Sequence, residues 1–261
     1  MEVIITENTA EAGRLAADAV QNLIAARPDA VIGLATGSSP QAIYEELARR
    51  VSQGIVSFAR AQAFTLDEYV GLPHDHPERY RNVITRDFVN HVDIDPRNVH
   101  GPDGQAGDIA AACTAYEEAI TAAGGVDLQI LGIGTDGHIA FNEPGSSLRS
   151  RTRIKTLTNQ TRNDNARFFG GDPNAVPRHC LTQGIGTIMD ARHLLLIASG
   201  RGKAEAVHQL VEGPISAMWP ASVLQMHAHV TVIIDTAAAS RLQLASYFVE
   251  TYAAKPAWQR L

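Results

Sequence analysis

Short apolar segments with strand character alternate with helical segments along almost the whole chain, and this alternation restricts the fold more than any other feature. The strand-type segments are residues 3–5, 30–35, 61–66, 126–133, 151–157, 194–198 and 230–234. Such alternation is typical of a mostly parallel sheet, because parallel neighbours need a crossover connection that usually contains a helix. The sequence therefore predicts an open, Rossmann-like α/β sheet with helices on both faces.

The helical segments have recognisable start and stop signals. They are residues 9–27, 40–53, 77–89 and 109–123. Asn8 or Thr9 is the expected cap of the first helix and Pro28 ends it, whereas Pro40 opens the second helix with Ser39 as its expected N-cap. No repeat, linker or low-complexity stretch divides the chain, so residues 1–261 are expected to form a single domain.

Composition and charge exclude several classes of protein. Apolar residues make up 45% of the chain and charged residues 19%, as in ordinary globular proteins. The formal net charge of −6 disfavours binding to nucleic acid or anionic membranes. Cys113 and Cys180 suggest neither a disulfide framework nor a zinc site, and we find no signal-peptide pattern and no apolar run of membrane-spanning length. We therefore expect a cytoplasmic protein without nucleic-acid or membrane partners.

Open parallel sheets bind ligands at the carboxyl ends of their strands, so the segments after residues 35, 66, 133 and 198 are the expected functional loops. The first loop carries Thr36, Gly37, Ser38 and Ser39 just before a helix. Helix N-termini attract anions, and glycine lets a ligand approach the backbone closely. Because the GxxxxGK[ST] pattern is absent, this loop is either a small-anion site or a simple capped turn.

The second loop places Asp67 and Glu68 directly after an apolar strand. A carboxylate at the end of a strand is well positioned to act as a general base when partial burial adjusts its pKa. The alternative is an ordinary helix cap or surface acid, and Tyr69 is expected to be a packing residue.

The third loop, LGIGTDGHIAFNEPGSS, is the richest in titratable groups, because Asp136, His138 and Glu143 follow closely on a buried strand. Histidine titrates near neutrality and can both give and take a proton, while carboxylates beside it orient the ring and raise its pKa. The pattern therefore favours a functional histidine over a structural one.

Cofactor motifs are not convincing anywhere in the chain. The third loop contains a GxGxxG string, but Pro144 and Gly145 interrupt the helix that a dinucleotide site needs. No HxxxH or HExxH pattern is present. The sequence predicts neither a metal nor any other cofactor, and a nicotinamide oxidoreductase is excluded.

The fourth loop contains Ser199 and Gly200, with Lys203 at the start of the next helix, and Arg167 lies in the segment ARFFGGD. Lys203 and Arg167 are expected to supply cations for a phosphate at the same sheet edge as the first loop. The alternative is that both are solvated surface residues.

The strings LDEYVGLP, GHIAFNEP, SRTRIKTL and ARFF resemble the glucosamine-6-phosphate deaminase family, in the same order and over essentially the whole chain. The resemblance implies isomerisation and hydrolytic deamination of glucosamine 6-phosphate to fructose 6-phosphate and ammonia, in amino-sugar catabolism and without a cofactor. It also implies a homo-oligomer, commonly a hexamer. This chain has TGSSP where family members often have TGGTP or TGSTP, a change that keeps the hydroxyl group.

The roles of family residues transfer to matching positions. Asp67 resembles the base that moves the proton at C2 of the open-chain sugar, and His138 resembles the group that assists opening of the ring. Asp136 and Glu143 resemble the carboxylates that orient and tune that histidine. The implied phosphate-binding residues are Thr36, Gly37, Ser38, Ser39, Arg167 and Lys203.

Residues 150–155, SRTRIK, alternate, so Arg151, Arg153 and Lys155 are expected to project from one face of a strand. One interpretation is salt bridging to nearby acids. The other rests on the resemblance, since allosteric members of the family have a second phosphate site between subunits that matches Ser146, Arg153 and Lys155. It implies activation by N-acetylglucosamine 6-phosphate.

Two other functions on the same fold stay open. A 6-phosphogluconolactonase has a similar Gly-Asp-Gly-His loop, but it is expected to lack both FNEP after that loop and LDEYVGL. A non-catalytic sugar-phosphate sensor usually carries a DNA-binding helix-turn-helix, whereas this acidic chain is expected to begin directly with the first strand of the domain.

Overall fold

A seven-stranded sheet forms the centre of the computed structural model, which describes residues 1–259. The strands of the structure are β1 (Glu2–Thr6), β2 (Val31–Leu34), β3 (Gln62–Thr65), β4 (Asp67–Tyr69), β5 (Val99–His100), β6 (Leu128–Leu131), β7 (Arg153–Thr156), β8 (His179–Thr182), β9 (His193–Ala198) and β10 (Val230–Asp235). The central sheet has the order β1-β10-β9-β6-β2-β3-β5, and every neighbouring pair in it is parallel. The predicted α/β fold class is thus confirmed.

Eight α-helices connect or flank the strands within residues 1–259. They are α1 (Thr9–Ala26), α2 (Gln41–Ser52), α3 (Tyr80–Asp87), α4 (Ile109–Ala122), α5 (Asn159–Asn165), α6 (Ile185–Met189), α7 (Ala204–Val211) and α8 (Ala245–Ala253). Short 3-10 helices cover Val89–His91, Pro96–Asn98, Ala166–Phe168, Arg201–Lys203, Pro220–Met226, Ala238–Arg241 and Ala257–Gln259. None of the helices in this part of the chain has the length and hydropathy needed to cross a bilayer.

Helix boundaries agree with the sequence signals except at two places. Asn8 caps α1 by accepting a hydrogen bond from the Glu11 backbone N–H at 2.9 Å. The predicted Ser39 cap is wrong, because Pro40 occupies the cap position of α2 and no side chain bonds the helix start there. The helix predicted from residue 77 begins only at Tyr80.

The order of the strands creates a crevice between β2 and β6. From β2 the chain moves outward to β3 and β5, then returns to β6 on the other side of β2 and continues outward to β9 and β10. The loops that follow β2 and β6 therefore separate, and a ligand has room between them. Both strands are buried along their whole length, as expected for parallel strands covered on both faces.

A second sheet, which the sequence did not predict, is small and antiparallel, with the order β4-β8-β7. The strand predicted over residues 151–157 belongs here rather than to the central sheet, and the predicted loop after residue 66 contains β4. A separate group of buried apolar side chains packs beside this sheet, including Tyr69, Phe141 and Phe169. Tyr69 is a packing residue, as predicted.

Candidate active site

A cavity of about 530 Å³ opens at the carboxyl edge of the central sheet. All four predicted loops contribute to its lining. The sequence-predicted residues that line it are Thr36, Gly37, Ser38, Ser39, Asp67, His138, Arg167, Ser199 and Lys203. Asp136 and Glu143 are not part of this lining, but both lie beside His138, which is. The parallel arrangement is the cause, because it brings the ends of β2, β3, β6 and β9 to one edge.

Asp67 is a buried carboxyl group, only 6% exposed, at the first residue of β4. The antiparallel pairing of β4 with β8 places it opposite Thr182. Burial raises the pKa of Asp67 well above its ordinary value, and the neighbouring charge of Glu68 raises this pKa further. A carboxylate with a raised pKa is a stronger base at neutral pH than a solvated one.

Glu68 points away from the cavity and holds α3 against β4. Its carboxylate accepts hydrogen bonds from the backbone N–H groups of Tyr69 at 2.9 Å, Tyr80 at 2.9 Å and Arg81 at 3.0 Å. The last two groups belong to the first turn of α3, where backbone donors have no partner within the helix. Arg79 lies 3.7 Å from the same carboxylate. The helix-cap interpretation therefore applies to Glu68, although its neighbour Asp67 faces the cavity.

His138 lies beside two carboxylates, as its sequence context predicts. Its Nδ1 atom is 2.7 Å from Asp136 Oδ1 and 3.7 Å from Glu143 Oε2. Partial burial acts to raise the pKa of Asp136, but the hydrogen bond and charge of His138 outweigh it and hold this pKa below its ordinary value. Burial raises the pKa of Glu143, against the opposing hydrogen bond from Thr161 and the charge of His138. Both carboxylates are on the Nδ1 side of the ring, which suits proton transfer through the ring's other nitrogen.

The backbone of the third loop is shaped around the His138 ring. A Cβ atom on Gly134 would lie 2.3 Å from Nδ1 and Cε1 of His138, so only glycine leaves space for the ring. Ala140, two residues beyond His138, has φ of 50° and is the one non-glycine residue among residues 1–259 with a positive φ. Strain of this kind costs about 1–2 kcal/mol and is often found at functional sites.

The part of the cavity that is lined by the first loop, Arg167 and Lys203 has the character of an anion site. Gly37 has φ of +94°, which turns the chain between β2 and α2 and is readily adopted only by glycine. The Arg167 guanidinium lies 4.7 Å from the centre of the Phe168 ring. Burial lowers the pKa of Lys203, while the charge of Asp164 opposes this shift and the charge of Arg167 adds to it. An anion bound beside Lys203 and Arg167 would stabilise both cations.

Thr161 and several residues of α3 also line the cavity and were not predicted. The α3 residues are Tyr80, Val83, Arg86 and Asp87, and Glu78 lies two residues before the helix. Thr161 donates a hydrogen bond to Glu143. The one signal for Thr161 is its spacing from Thr158, which caps α5 three residues earlier. The α3 residues carry no signal, because their helix reaches the cavity through tertiary contacts, among them the bonds from its first turn to Glu68.

The three residues expected at a second phosphate site lie away from this cavity. Ser146 is buried and its hydroxyl has no hydrogen-bond partner within residues 1–259. Arg153 and Lys155 share one half-buried face of β7, and neither forms an ion pair with a carboxylate of that part of the chain. Arg151 precedes β7 and bridges to Glu117 and Asp190, so the salt-bridge interpretation applies to it alone.

The atoms of Asp136, His138 and Glu143 that are able to bind a metal all lie within 4.8 Å of one another. No other group of three or more such side chains was found among residues 1–259. One imidazole and two carboxylates are suitable metal ligands, but their placement equally suits the orientation of an acid–base histidine. That turnover needs no metal therefore stays a prediction, tested by activity after exhaustive treatment with EDTA.

Comparison with known proteins identifies the family. Residues 6–233 match the model of a family described as glucosamine-6-phosphate isomerases/6-phosphogluconolactonase. The chain belongs to this family. Proteins named glucosamine-6-phosphate deaminase from Beutenbergia cavernae and Mycolicibacterium smegmatis are 69% and 71% identical to it, over 100% and 99% of both chains. The family resemblance inferred from the four sequence strings is thus confirmed.

Solved structures divide the family into close and distant neighbours. A structure described as a monomeric glucosamine-6-phosphate deaminase is 44% identical, with a TM-score of 0.90, and the match covers 92% of this chain and 99% of that one. A 6-phosphogluconolactonase from Trypanosoma cruzi shares the fold, with a TM-score of 0.72 over 93% and 97% of the two chains, at 22% identity.

Proposed function

We propose that the chain converts glucosamine 6-phosphate and water to fructose 6-phosphate and ammonia. The observation that carries this proposal is the content of one cavity: a buried carboxyl base, a carboxylate-paired histidine and a cationic anion site. An amino-sugar phosphate needs all three, because its ring must open, a proton must leave C2 and its phosphate must be held. The high identity to deaminases over full length supports the same assignment.

Each step has a residue to perform it. The N–H and hydroxyl groups of the first loop, with Arg167 and Lys203, hold the phosphate and so fix the position of the sugar carbons. His138 passes the proton of the C1 hydroxyl to the ring oxygen as the C1–O5 bond breaks, which gives the open-chain aldehyde. Asp67 then removes the proton from C2 and returns it to C1, while one proton of the C2 ammonium group passes to O1. The C1 aldehyde thereby becomes a hydroxyl group, and a C=N double bond forms at C2 as an iminium ion. Water adds to that iminium ion and ammonia leaves, so no electron acceptor is needed.

Lactone hydrolysis is the alternative within the family. It requires attack of water on a carbonyl group but no base at C2 of a sugar. The 22% identity to a lactonase shows a shared fold only, whereas LDEYVGLP and FNEP support the deaminase.

A coupled assay for ammonia release from glucosamine 6-phosphate tests the proposal, with 6-phosphogluconolactone as the competing substrate. Wild-type protein is expected to release ammonia and to leave lactone hydrolysis at its uncatalysed rate. Asp67→Asn is expected to lose about 10²-fold or more in kcat while KM changes little, because the amide cannot accept the C2 proton. Preferential hydrolysis of the lactone would overturn the proposal.

We further propose that N-acetylglucosamine 6-phosphate activates the enzyme. Two observations within residues 1–259 support this: the hydroxyl of Ser146 has no hydrogen-bond partner, and Arg153 and Lys155 form no ion pairs. Coupling of about 1–3 kcal/mol would change substrate affinity about 5–150-fold. Saturation curves with and without the effector test it, and Lys155→Ala is expected to remove the shift. A hyperbolic wild-type curve that the effector leaves unchanged would contradict it.

For assembly and location, we propose a hexamer in the cytoplasm, as the family resemblance implies. The solved neighbour at 44% identity is described as monomeric, so the assembly of this chain has to be measured. Light scattering coupled to size-exclusion chromatography distinguishes a mass near 28.0 kDa from a multiple of it.

A further inference from the structure

The buried carboxylate of Glu143 depends on a neighbour from a distant part of the chain. Glu143 is 4% exposed, and its Oε1 atom accepts a hydrogen bond from the hydroxyl of Thr161. Its Oε2 atom faces His138 Nδ1 at 3.7 Å and has no hydrogen-bond partner within residues 1–259. The bond from Thr161 therefore restricts rotation of the carboxylate and keeps Oε2 directed at the histidine.

The hydroxyl of Thr161 is itself fixed. Thr161 is 4% exposed and lies in the first turn of α5. The Thr158 hydroxyl donates to Thr161 Oγ1 at 3.0 Å, and the Thr161 backbone N–H donates to Thr158 Oγ1 at 3.1 Å. Because Thr161 Oγ1 already accepts a bond from Thr158, its own proton is directed to Glu143. Serial bonds of this kind strengthen one another in a buried setting.

The same short helix leads to the anion site. One turn after Thr161, the chain enters the 3-10 helix Ala166–Phe168, which carries Arg167. Thr161, Asp164 and Arg167 all line the cavity. A phosphate that binds Arg167 therefore fixes the segment whose first turn orients Glu143.

We infer that Thr161 is a positioning residue, which directs Glu143 toward His138 and couples binding of the substrate phosphate to the readiness of the ring-opening histidine. The inference rests on the proposed deaminase function. Thr161 need not touch the reacting atoms, because it acts through Glu143.

Replacement of Thr161 by valine tests this role, since valine keeps the branched shape and loses only the hydroxyl. Thr161→Val is expected to lower kcat about tenfold with less than a twofold change in KM, because a hydrogen bond to a charged group is lost. The lost bond holds the pKa of Glu143 down, so this pKa rises and the acid limb of the kcat/KM profile moves to higher pH. Thr161→Ser keeps the hydroxyl and is expected to restore both properties.

The control is Asn163→Ala, which changes an exposed residue of the same helix and is expected to leave kcat and the pH profile unchanged. If Thr161→Val does not fold, Thr161→Ala and Thr161→Ser supply the same comparison. Active wild type together with a Thr161→Val or Thr161→Ala protein of unchanged kcat and pH profile would overturn the positioning role alone. Wild type without ammonia release would overturn the proposed function, and the positioning role with it.

Discussion

At the scale of a single residue, Asp67 is a functional group whose burial lowers the stability of the folded state. The structure buries this carboxyl group and sets Glu68 beside it, and both effects disfavour the ionised form. Because the pKa of Asp67 is higher in the folded state than in the unfolded state, the folded chain holds this proton more tightly. Stability is therefore lost as pH rises from the ordinary aspartate range through the raised pKa, and it stays lower above that range.

Asp67→Asn is accordingly expected to raise the melting temperature at neutral pH, although it lowers kcat about 10²-fold or more. The amide has no charge to bury, so the stabilising effect should disappear below about pH 4, where aspartate is protonated in both states. Thermal unfolding of wild type and variant at the two pH values measures this difference. Asp75→Asn, at an exposed position, is the matched control and should show no gain at either pH. A lower melting temperature for Asp67→Asn at neutral pH would contradict the account.

The sequence predicted the roles of some site residues and not of others. Asp67 and His138 stand in motifs whose residue types already suggest proton transfer. Glu68 has the same local context as Asp67, and only the packing of α3 assigns it to a helix start instead of the cavity. Thr161 was not predicted, because its contact with Glu143 joins residues 18 positions apart through a fold that the local pattern does not encode.

At the scale of elements, the third loop is a tight turn in which a histidine ring fills the space above a glycine. The strand before it ends at Leu131, two residues before the end predicted from its apolar run at residue 133. The contact between Gly134 and His138 follows from the turn that brings the Gly134 N–H to the His138 carbonyl oxygen at 2.9 Å. The loop therefore functions as one unit, and a change at Gly134 acts on the ring directly.

Gly134→Ala is expected to lower kcat about 10²-fold, because the added methyl group displaces an acid–base residue from its working position. Steady-state kinetics with circular dichroism measures the effect and checks that the fold is kept. Gly107→Ala serves as the control, since a Cβ there meets no atom within 4 Å. Full activity of Gly134→Ala would show that the loop can relax around the ring.

Elements were predicted most accurately where apolar runs are long. β9 and β10 agree with their predicted ranges to within one residue. β4 was missed because it has three residues, two of them acidic, and its burial results from pairing with β8. β5 has only two residues and offers no periodicity to detect.

At the scale of the whole molecule, the alternation of strands and helices predicted a parallel sheet but not the order of its strands. The order depends on the side of β2 to which the chain returns after β5, and no residue pattern encodes that choice. β1 is the clearest case: its neighbour in the central sheet is β10, with Glu2 opposite Thr231 and Thr6 opposite Asp235.

This pairing has a consequence for the order in which the protein is made. The Thr6 hydroxyl donates to the Ile234 carbonyl oxygen at 3.2 Å, across 228 positions of the chain. During synthesis β1 is made long before β10, so their pairing cannot form until the chain has been extended through Asp235. Contacts this distant in sequence slow folding. Pulse-labelled hydrogen exchange during refolding is expected to show β1 amides protected no earlier than those of β10, and earlier protection of β1 would mean that it first pairs elsewhere.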